Sequence, residues 1–411
     1  MKVLAVTHGL RLGGAQLSTL EFLENLKYFV ELRVLVCKDA KEEFVSHIRS
    51  LGVEVYRIPC QSVANYPYMH IEGARKLVER TDIVWIADES YLVASHIKKL
   101  RRVPIVAHLR SYALICPWWA ALYGLRKACL ERCSLWRITR CKQCINLELA
   151  RIELLNSVKA SIYWLLDFVK GPLDYFKWLK LLRGVIDSID AFLPVSKALW
   201  EIYVSHIPEL KDKPFKVIYN PVTEPLKYVR PNLSEPHDNY ILYASSSNPV
   251  KGPHILLEAW SKISKEFKDL KLYMAGCKDT WVEKLAKKLD IKNVVFLKRL
   301  PPSKHYYFMM YMARAVVVPS LWPEPFGRIP IEANRLGVPA IVTNRGGLSE
   351  IIENGVTGVI SNADSESLAD AIVKSLSRKW DRSVIVKSTY ERISPQVMID
   401  ELLKFFEDML K

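Results

Sequence analysis

The sequence lacks several patterns by which nucleotide- and metal-dependent enzymes are usually recognised. No two glycines are spaced as G-x-G and no Gly-Lys pair occurs, which excludes the dinucleotide fingerprint and the P-loop. No D-x-D pair that could hold a catalytic metal is present, nor a G-x-S-x-G elbow. No apolar run reaches the ~20 residues that cross a bilayer, and no signal peptide is visible. We therefore expect a cytoplasmic protein that needs no metal or other cofactor for catalysis.

The composition is that of an ordinary globular protein with a basic surface. A chain of 411 residues predicts two or three domains. With 50% hydrophobic and 25% charged residues, disordered and collagen-like architectures are excluded. Lys and Arg number 59 against 44 Asp and Glu, a net charge of +15. This excess indicates an anionic partner such as phosphate, lipid head groups or nucleic acid.

Much of the positive charge lies in one segment. Residues 96–183 hold 17 Lys and Arg against 5 Asp and Glu, together with 5 of the 11 Trp. Within this segment, residues 160–183 interleave Trp, Tyr and Phe with Lys and Arg, a pattern typical of an interfacial helix on anionic lipid. A buried helix pair with a solvated basic rim is the alternative.

Five of the eight cysteines fall between positions 116 and 144. The spacing of Cys129, Cys133, Cys141 and Cys144 suits a tetrahedral structural zinc. Two disulfides or four reduced thiols are the alternatives. We expect none of these cysteines to be catalytic.

Short apolar runs alternate with helix-like stretches in two blocks, which predicts two doubly wound α/β domains with parallel sheets. A Pro-containing stretch at 223–238 separates the blocks, and the alternation is interrupted over 110–183. We predict a first domain at 1–222 with an insertion at 110–183, a second domain at 223–394, and a terminal helix at 395–411 that crosses back to the first domain. The predicted strands are 3–6, 32–37, 53–58, 83–87, 105–109, 191–196, 215–220, 240–245, 270–275, 293–297, 315–320, 339–343 and 358–361.

The stretch 319–333 (PSLWPEPFGRIPIEA) carries two carboxylates beyond a predicted strand. Pro323 and Pro325 forbid a helix there, and Pro330 suits the start of the next one. Glu324 is then placed on a loop and Glu332 in the first helical turn. A helix N-terminus suits a diphosphate, and a nearby carboxylate can accept hydrogen bonds from sugar or ribose hydroxyls. Alternatively, Glu332 merely complements the helix dipole.

The spacing of Glu324 and Glu332 in a P-E-x-F-G…E-A frame resembles the E-x7-E signature of retaining GT-B glycosyltransferases, the glycosyltransferase family 4 or glycosyl transferases group 1. Other landmarks follow in the family's order and cover nearly the whole chain. They are residues 13–16 (GGAQ), His108, residues 192–196 (FLPVS), residues 219–222 (YNPV), residues 251–252 (KG), residues 346–350 (GGLSE) and the terminal helix.

This resemblance implies two Rossmann-like domains facing across a cleft and transfer of a sugar from a nucleotide-sugar donor. On the donor side, Lys251, Arg328 and the amides near Phe326 and Gly327 would offset the diphosphate charge, and Glu332 would hold the ribose. A solvated surface lysine is the alternative for Lys251. The partner that the resemblance implies is the nucleotide-sugar. The basic and aromatic segment adds an anionic membrane, on whose inner face the protein would be peripheral, and a glycan or lipid-linked acceptor, and we expect no nucleic acid.

On the acceptor side, the resemblance implies that Glu324 holds the transferred sugar. His108 and the Gly13-Gly14 loop would complete the site from the first domain. Two simpler interpretations stay open: His108 as a core histidine, and the two glycines as a plain turn between strand and helix.

One departure from the family's pattern motivates a rival hypothesis. The family usually has Arg five residues before the phosphate lysine, whereas this chain has Ser246. Either Lys251 acts with hydroxyl groups, or another cation, Arg328 or Arg299, takes the place of that arginine. The rival is a non-catalytic membrane-surface or nucleic-acid-binding protein on a degenerate GT-B fold.

Overall fold

The computed structural model describes residues 1–10, 14–63, 66–116, 121–123, 127–130, 182, 184–222, 224–230 and 238–411. Several predicted features fall outside these ranges. Gly13, Cys133, Cys141, Cys144 and the aromatic-basic stretch up to residue 181 all lie outside the described residues.

The strands follow the chain in this order: β1 (Lys2–Val6), β2 (Glu31–Cys37), β3 (Glu54–Ile58), β4 (Cys60–Val63), β5 (Tyr66–Met69), β6 (Ile83–Ile86), β7 (Ile105–Leu109), β8 (Leu122–Tyr123), β9 (Lys127–Ala128), β10 (Ala191–Pro194), β11 (Tyr240–Ala244), β12 (Lys271–Ala275), β13 (Val294–Leu297), β14 (Ala315–Val318), β15 (Ala340–Thr343) and β16 (Gly358–Ser361).

The helices are α1 (Gly14–Leu26), α2 (Glu42–Ser50), α3 (Arg75–Glu79), α4 (Val93–Leu100), α5 (Lys197–His206), α6 (Pro253–Ile263), α7 (Trp281–Lys288), α8 (Lys304–Met312), α9 (Arg328–Arg335), α10 (Leu348–Ile351), α11 (Ser365–Ser377), α12 (Arg382–Arg392) and α13 (Pro395–Asp408).

Two six-stranded parallel sheets form the architecture. The first has the order β10-β7-β6-β1-β2-β3 and the second β13-β12-β11-β14-β15-β16. The strand order reverses between β1 and β6 in the first sheet and between β11 and β14 in the second. Open α/β sheets bind ligands at such switch points, beyond the carboxyl ends of the strands.

The central strands are apolar on both faces because helices cover both sides of each sheet. Every residue of Ile83–Ile86 and of Ile105–Leu109 is buried. In the second sheet, Ala315–Val318 and Ala340–Thr343 are buried in the same way. Such continuous burial explains why these strands appear in the sequence as unbroken hydrophobic runs.

The C-terminal helix α13 packs beneath the first sheet, although it follows the second sheet in the chain. Its Phe406 is fully buried, and its ring centroid lies 6.4 Å from that of Trp85. Glu401 on the same helix pairs with Lys216 at 2.9 Å. The helix therefore ties the end of the chain to the first sheet.

The six predicted strands of the second sheet are all present. The strand predicted at 215–220 is reduced to one bridge between Phe192 and Phe215. The antiparallel pair β4–β5 was not predicted, and a disulfide joins Cys60 in it to Cys37, with 5.5 Å between their Cα atoms.

Candidate active site

The carboxyl ends of the two sheets line a cleft of about 510 Å³. From the first sheet's side come the start of α1, Arg110 after β7, and Asn220. From the second come the loops after β11, β12, β13 and β14 and the start of α9. Of the predicted cleft residues, Lys251, Glu324, Phe326, Gly327, Arg328, Glu332 and Gly14 all line it.

Local backbone contacts explain why Lys251 lies beside the loop that carries Glu324. Gly252 has a φ of +71°, and a Cβ there would lie 1.9 Å from the Pro319 carbonyl oxygen. The amide of Leu321 donates to the Val250 carbonyl at 2.8 Å. Only glycine allows this approach, so the turn that presents Lys251 is fixed to the start of the 319–327 loop.

Lys251 and Glu324 form an ion pair at the centre of the cleft. The Lys251 Nζ lies 2.6 Å from the Glu324 Oε1, which also accepts a hydrogen bond from the Ser320 hydroxyl at 2.6 Å. The ammonium group also lies 4.6 Å from the centroid of the Trp322 ring, within cation–π range. The Lys251 ammonium group thus contacts the Glu324 carboxylate and the face of the Trp322 ring, and is not a freely solvated surface charge.

The glycine pair at 346–347 supports the Glu324 loop from behind. Gly346 has a φ of +59°, and a Cβ there would lie 2.3 Å from the Glu324 carbonyl oxygen. The Gly347 amide donates to that same oxygen at 2.7 Å. This contact accounts for the glycines in the residue 346–350 landmark.

Glu332 is buried in the second turn of α9, where it faces Tyr306. The Tyr306 hydroxyl donates to the Glu332 Oε2 at 2.9 Å, and the Arg328 guanidinium lies 3.7 Å from Oε1. Burial raises the pKa of the Glu332 carboxyl above its usual value, although Arg328 and the Tyr306 hydrogen bond oppose this. Keeping a carboxylate here without a ligand is therefore costly.

Arg328 joins the two halves of the molecule. Its two terminal nitrogens each lie 3.1 Å from a carboxylate oxygen of Glu21 on α1, a bidentate arrangement. It also donates to the Ser18 hydroxyl at 2.5 Å and to the Pro221 carbonyl at 3.2 Å. Burial alone would lower the pKa of Arg328, but Glu21 and Glu332 raise it. Arg328, which was predicted to bind the diphosphate, is thus already paired with carboxylates of the protein.

The helix α9 begins at Arg328, two residues before the position predicted from Pro330. Gly327, with a φ of +118°, occupies the N-cap and turns the chain into the helix. Pro330 still falls in the first turn, where its missing amide hydrogen costs no helical bond. Phe326 lies against Tyr219, with 5.5 Å between ring centroids.

His108 lies inside β7 and not at the cleft. It is fully buried, with its ring centroid 5.2 Å from that of Phe22, and it is absent from the residues that line the cleft. Its Nδ1 lies 3.3 Å from a terminal nitrogen of Arg110. Burial, reinforced by Arg110, holds the pKa of His108 well below its usual value, so the ring is neutral. This placement agrees with the core-histidine alternative.

Arg110 takes the position at the cleft that was predicted for His108. Its guanidinium donates to the Ala15 carbonyl at 2.7 Å and to the Thr19 hydroxyl at 2.6 Å. Burial lowers the pKa of Arg110 to about 10, still well above neutrality. Gly14 opens α1 nearby, and a Cβ there would lie 3.3 Å from the Arg328 Cδ.

Asn220, which belongs to the landmark at residues 219–222, also lines the cleft. It is buried, and its Oδ1 accepts no hydrogen bond from the described part of the protein. Tyr306, Trp322 and Glu21 are further site residues that the sequence did not single out. Trp322 stood inside the 319–333 motif, but Glu21 gave no signal because its partner is 307 positions away.

His8, Asp88 and Glu89 form a buried group whose ligand atoms lie within 4.8 Å of one another. The Leu10 amide donates to the His8 Nδ1 at 2.9 Å, so that in neutral His8 the Nε2 carries the proton. This Nε2–H faces Asp88 and Glu89 at 3.4 and 3.6 Å. The Gln16 amide nitrogen lies 3.2 Å from the same Nε2, so polar groups of the protein itself surround this ring nitrogen. Of the four predicted zinc cysteines, only Cys129 lies within the described residues.

Comparisons with known proteins support this architecture. Residues 227–392 match the family of Glycosyl transferases group 1. YtcC of Bacillus subtilis is 27% identical over 50% of this chain and 56% of its own length. An uncharacterized glycosyltransferase of Methanocaldococcus jannaschii is 30% identical over 49% of this chain and 56% of its own length. The chain thus spans about half the length of these relatives.

Solved structures align over nearly the whole chain. The crystal structure of Anabaena HepE in complex with UDP has a TM-score of 0.67 and 17% identity, covering 99% of this chain and 100% of that one. The same protein in complex with UDP-glucose has a TM-score of 0.65. The chain has the two-domain GT-B fold of these structures, and its second half matches the Glycosyl transferases group 1 family.

Proposed function

We propose that this protein is a retaining glycosyltransferase of family 4 that moves a sugar from a nucleotide-sugar to an acceptor. The observation that carries the proposal is the Lys251–Glu324 pair, held at 2.6 Å in a cleft between two Rossmann-like sheets. The match of residues 227–392 to the group 1 family and the UDP-glucose named for HepE support the same activity.

In this proposal, donor binding exchanges the partners of the ion pair. The diphosphate replaces Glu324 as the anion beside Lys251, and the freed Glu324 carboxylate accepts a hydrogen bond from a hydroxyl of the sugar. Lys251 offsets one of the two negative charges that the diphosphate brings. Binding therefore orients the sugar and stabilises part of the leaving group's charge in one step.

Glu332 would hold the ribose. Two ribose hydroxyls are donors, and donation to Glu332 would relieve the cost of keeping its carboxylate buried beside Tyr306. The helix α9 directs its first amides, near Phe326 and Gly327, to the same part of the cleft.

The chemistry we propose is a front-face displacement. The bond between the anomeric carbon and the diphosphate oxygen breaks, the acceptor oxygen bonds to that carbon on the same face, and the acceptor's proton passes to the departing diphosphate. Lys251 and the α9 amides stabilise the charge that develops on the leaving group. Closure of the proposed domains, 1–222 and 223–394 with 395–411 crossing back, excludes water.

On the acceptor side, we propose that Arg110 and Gly14 contact the substrates and that His108 acts through Arg110 as a positioning residue. The neutral His108 ring accepts from Arg110 and packs on Phe22, which fixes the guanidinium beside α1. The Gly13-Gly14 loop would let the sugar approach the backbone.

Product analysis tests the activity. The protein is incubated with a panel of nucleotide-sugars of several bases and sugars, and the anomeric configuration of the transferred sugar is read by NMR. The proposal expects product in which the donor's configuration is kept. An inverted product would overturn the retaining mechanism, and absence of transfer or hydrolysis with every donor would favour a non-catalytic protein.

We also propose that the acceptor is lipid-linked and that the protein is peripheral on the cytoplasmic face of an anionic membrane. The support is the sequence of residues 110–183, most of which lies outside the described residues. In the described ranges, no helix has the length and apolarity needed to cross a membrane.

Vesicle flotation tests the membrane proposal. Binding should require anionic lipid, fall as salt rises, and weaken when Trp164 and Trp178 become Ala. If the protein ignored anionic vesicles at every salt concentration but glycosylated a small soluble acceptor, the lipid proposal would be overturned and the transferase proposal kept.

A further inference from the structure

The cleft needs more positive charge than Lys251 supplies. Lys251 is already neutralised by Glu324, so a doubly ionised diphosphate that displaces the carboxylate meets only one cation. Ser246 occupies the position where the resembling family has a second cation, and its side chain carries no charge. This inference rests on the proposed function, since it concerns how the diphosphate is held.

Arg328 is not free to supply that charge. Its two terminal nitrogens each donate to a carboxylate oxygen of Glu21 at 3.1 Å, and one of them also donates to Ser18. The guanidinium lies 3.7 Å from the Glu332 carboxylate. Moving it to a phosphate would take the cation away from the partly buried carboxylate of Glu21 and the buried carboxylate of Glu332, which is costly. Arg110 is likewise engaged, by Ala15 and Thr19.

Arg299 is differently placed. It follows β13 on the carboxyl edge of the second sheet, it lines the cleft, and its side chain is exposed. Among the described residues no carboxylate forms an ion pair with it, in contrast to Arg328 and Lys251. A charged side chain in the cleft without a protein counter-ion is the arrangement that an anionic ligand completes.

The sheet order explains how a cation after β13 can serve a site beside β11. The two strands are separated only by β12, so their ends are about 10 Å apart, two strand spacings. The residue after β12 is Gly276, whose φ is +82° and whose Cβ, if present, would lie 2.3 Å from the Ser245 carbonyl oxygen. The intervening loop is therefore pressed against the β11 loop and presents no side chain between Arg299 and Ser246.

We infer that Arg299 reaches across Gly276 and binds the diphosphate of the donor together with Lys251, in place of a cation at position 246. Because the side chains of Ser245 and Ser246 are small, they would leave room for the guanidinium and the phosphate. The second positive charge thus comes from the loop after β13, two strands away from β11, after which the family usually carries its arginine.

Binding measurements on the full chain test this inference. Titration calorimetry with ADP, GDP, UDP and CDP identifies the tightest ligand, and the matching nucleoside is the uncharged reference. Arg299→Ala should lower the affinity for the diphosphate by about 10- to 100-fold, the range for a hydrogen bond to a charged group. The affinity for the nucleoside should stay unchanged. Lys278→Ala removes an exposed cation from the same sheet edge that does not line the cleft, and should change neither.

A rescue variant gives the sharper result. Arg299→Ala combined with Ser246→Arg should recover most of the lost affinity, because the charge is restored at the other end of the same gap. Normal diphosphate affinity in Arg299→Ala would overturn this inference alone. Equal loss of diphosphate and nucleoside affinity would also overturn it, since that pattern means a damaged pocket. Failure of the wild-type protein to bind any of the four diphosphates would overturn the proposed function as well.

Discussion

At the scale of single residues, Glu332 illustrates how a buried carboxylate lowers the stability of the folded state. Its carboxyl is buried, and burial raises its pKa above the ordinary value of 4.5. The folded state therefore holds this proton more tightly than the unfolded state, and stability is lost as the pH rises through the folded pKa. At neutral pH the ionised Glu332 destabilises the free protein.

Glu332→Gln should accordingly separate stability from function. The amide oxygen can still accept from Tyr306, so the variant should match the wild-type melting temperature near pH 4 and exceed it increasingly as the pH rises above 4.5. Donor affinity should fall by about tenfold, the lower range for losing a charged hydrogen-bond acceptor. Thermal unfolding across pH, alongside calorimetry with nucleotide-sugars, measures both. A variant less stable at pH 8 than at pH 4, relative to wild type, would contradict the sign of the pKa shift.

The cysteine cluster gives a second prediction at residue scale. If Cys129, Cys133, Cys141 and Cys144 form a closed site, metal analysis should find about one zinc per chain, lost on replacing Cys129 with Ser. Cys277→Ser, a buried cysteine of the second sheet's core, should leave the zinc content unchanged. Activity at moderate temperature should survive chelators. A metal-free protein whose cysteines all react after denaturation would remove both the zinc and the disulfide interpretations of the cluster.

Residues that a local motif carries were predicted to lie together at the cleft, and the structure places them there. Glu324 and Glu332 lie in one short stretch, and Lys251 was found by its following glycine. His108 was misplaced because a histidine near the end of a strand can face either side of the sheet, and the local pattern does not say which. Glu21 and Arg110 depend on contacts between distant segments, for which a single sequence carries no signal.

At the scale of elements, the turn at Gly252 is the device that brings Lys251 to Glu324. Gly252→Ala should introduce both backbone strain and a clash with the Pro319 carbonyl, costing about 1–3 kcal/mol and lowering activity as Lys251 shifts. Gly52→Ala is the matched control, because Gly52 has a similar φ of +76° but nothing within 4 Å of the added Cβ.

The control should lose about 1 kcal/mol for the backbone strain alone and keep full activity. Urea unfolding and initial transfer rates measure the two effects. Equal stability losses in both variants, with activity kept in Gly252→Ala, would show that the close approach to Pro319 does not position the lysine.

The elements of the fold were predictable where strands are buried on both faces, as the second sheet shows. The segment predicted as a strand at 215–220 runs along β10, since the amides of Lys216 and Ile218 donate to the carbonyls of Phe192 and Pro194 at 3.1 and 3.0 Å, but only the bridge at Phe215 has regular ladder geometry. The hairpin β4–β5 was missed because Cys60–Val63 and Tyr66–Met69 are short and polar enough to look like loop. The start of α9 moved because Gly327, and not Pro330, makes the turn.

At the scale of the whole molecule, the contacts that hold the two halves together around the cleft include three between distant segments. Arg328 pairs with Glu21, the Glu350 carboxylate accepts from the Lys197 and Ala198 amides at 2.9 and 2.7 Å, and the Tyr112 hydroxyl donates to the Pro323 carbonyl at 2.6 Å. These contacts bridge the cleft, so we expect them to favour a closed arrangement of the two halves.

Removing the ion pair should favour an open form. Glu21→Gln should weaken closure by about 1–3 kcal/mol, the value of a hydrogen bond to a charged group, and raise the radius of gyration measured by X-ray scattering without nucleotide. Glu43→Gln, an exposed carboxylate on α2, should change nothing. An unchanged radius of gyration for Glu21→Gln would mean that the remaining contacts suffice for closure.

The central claim is that Lys251 stabilises a departing diphosphate, and the release of nucleoside diphosphate from the preferred nucleotide-sugar tests it most directly. Lys251→Ala should lower the turnover rate on the order of 100-fold, or ~3 kcal/mol, as expected for losing one preorganised contact to developing charge. Lys278→Ala, of equal charge change outside the cleft, should keep the wild-type rate. If Lys251→Ala released nucleoside diphosphate as fast as the wild-type protein, the account of this cleft as a glycosyl-transfer site centred on Lys251 would be contradicted.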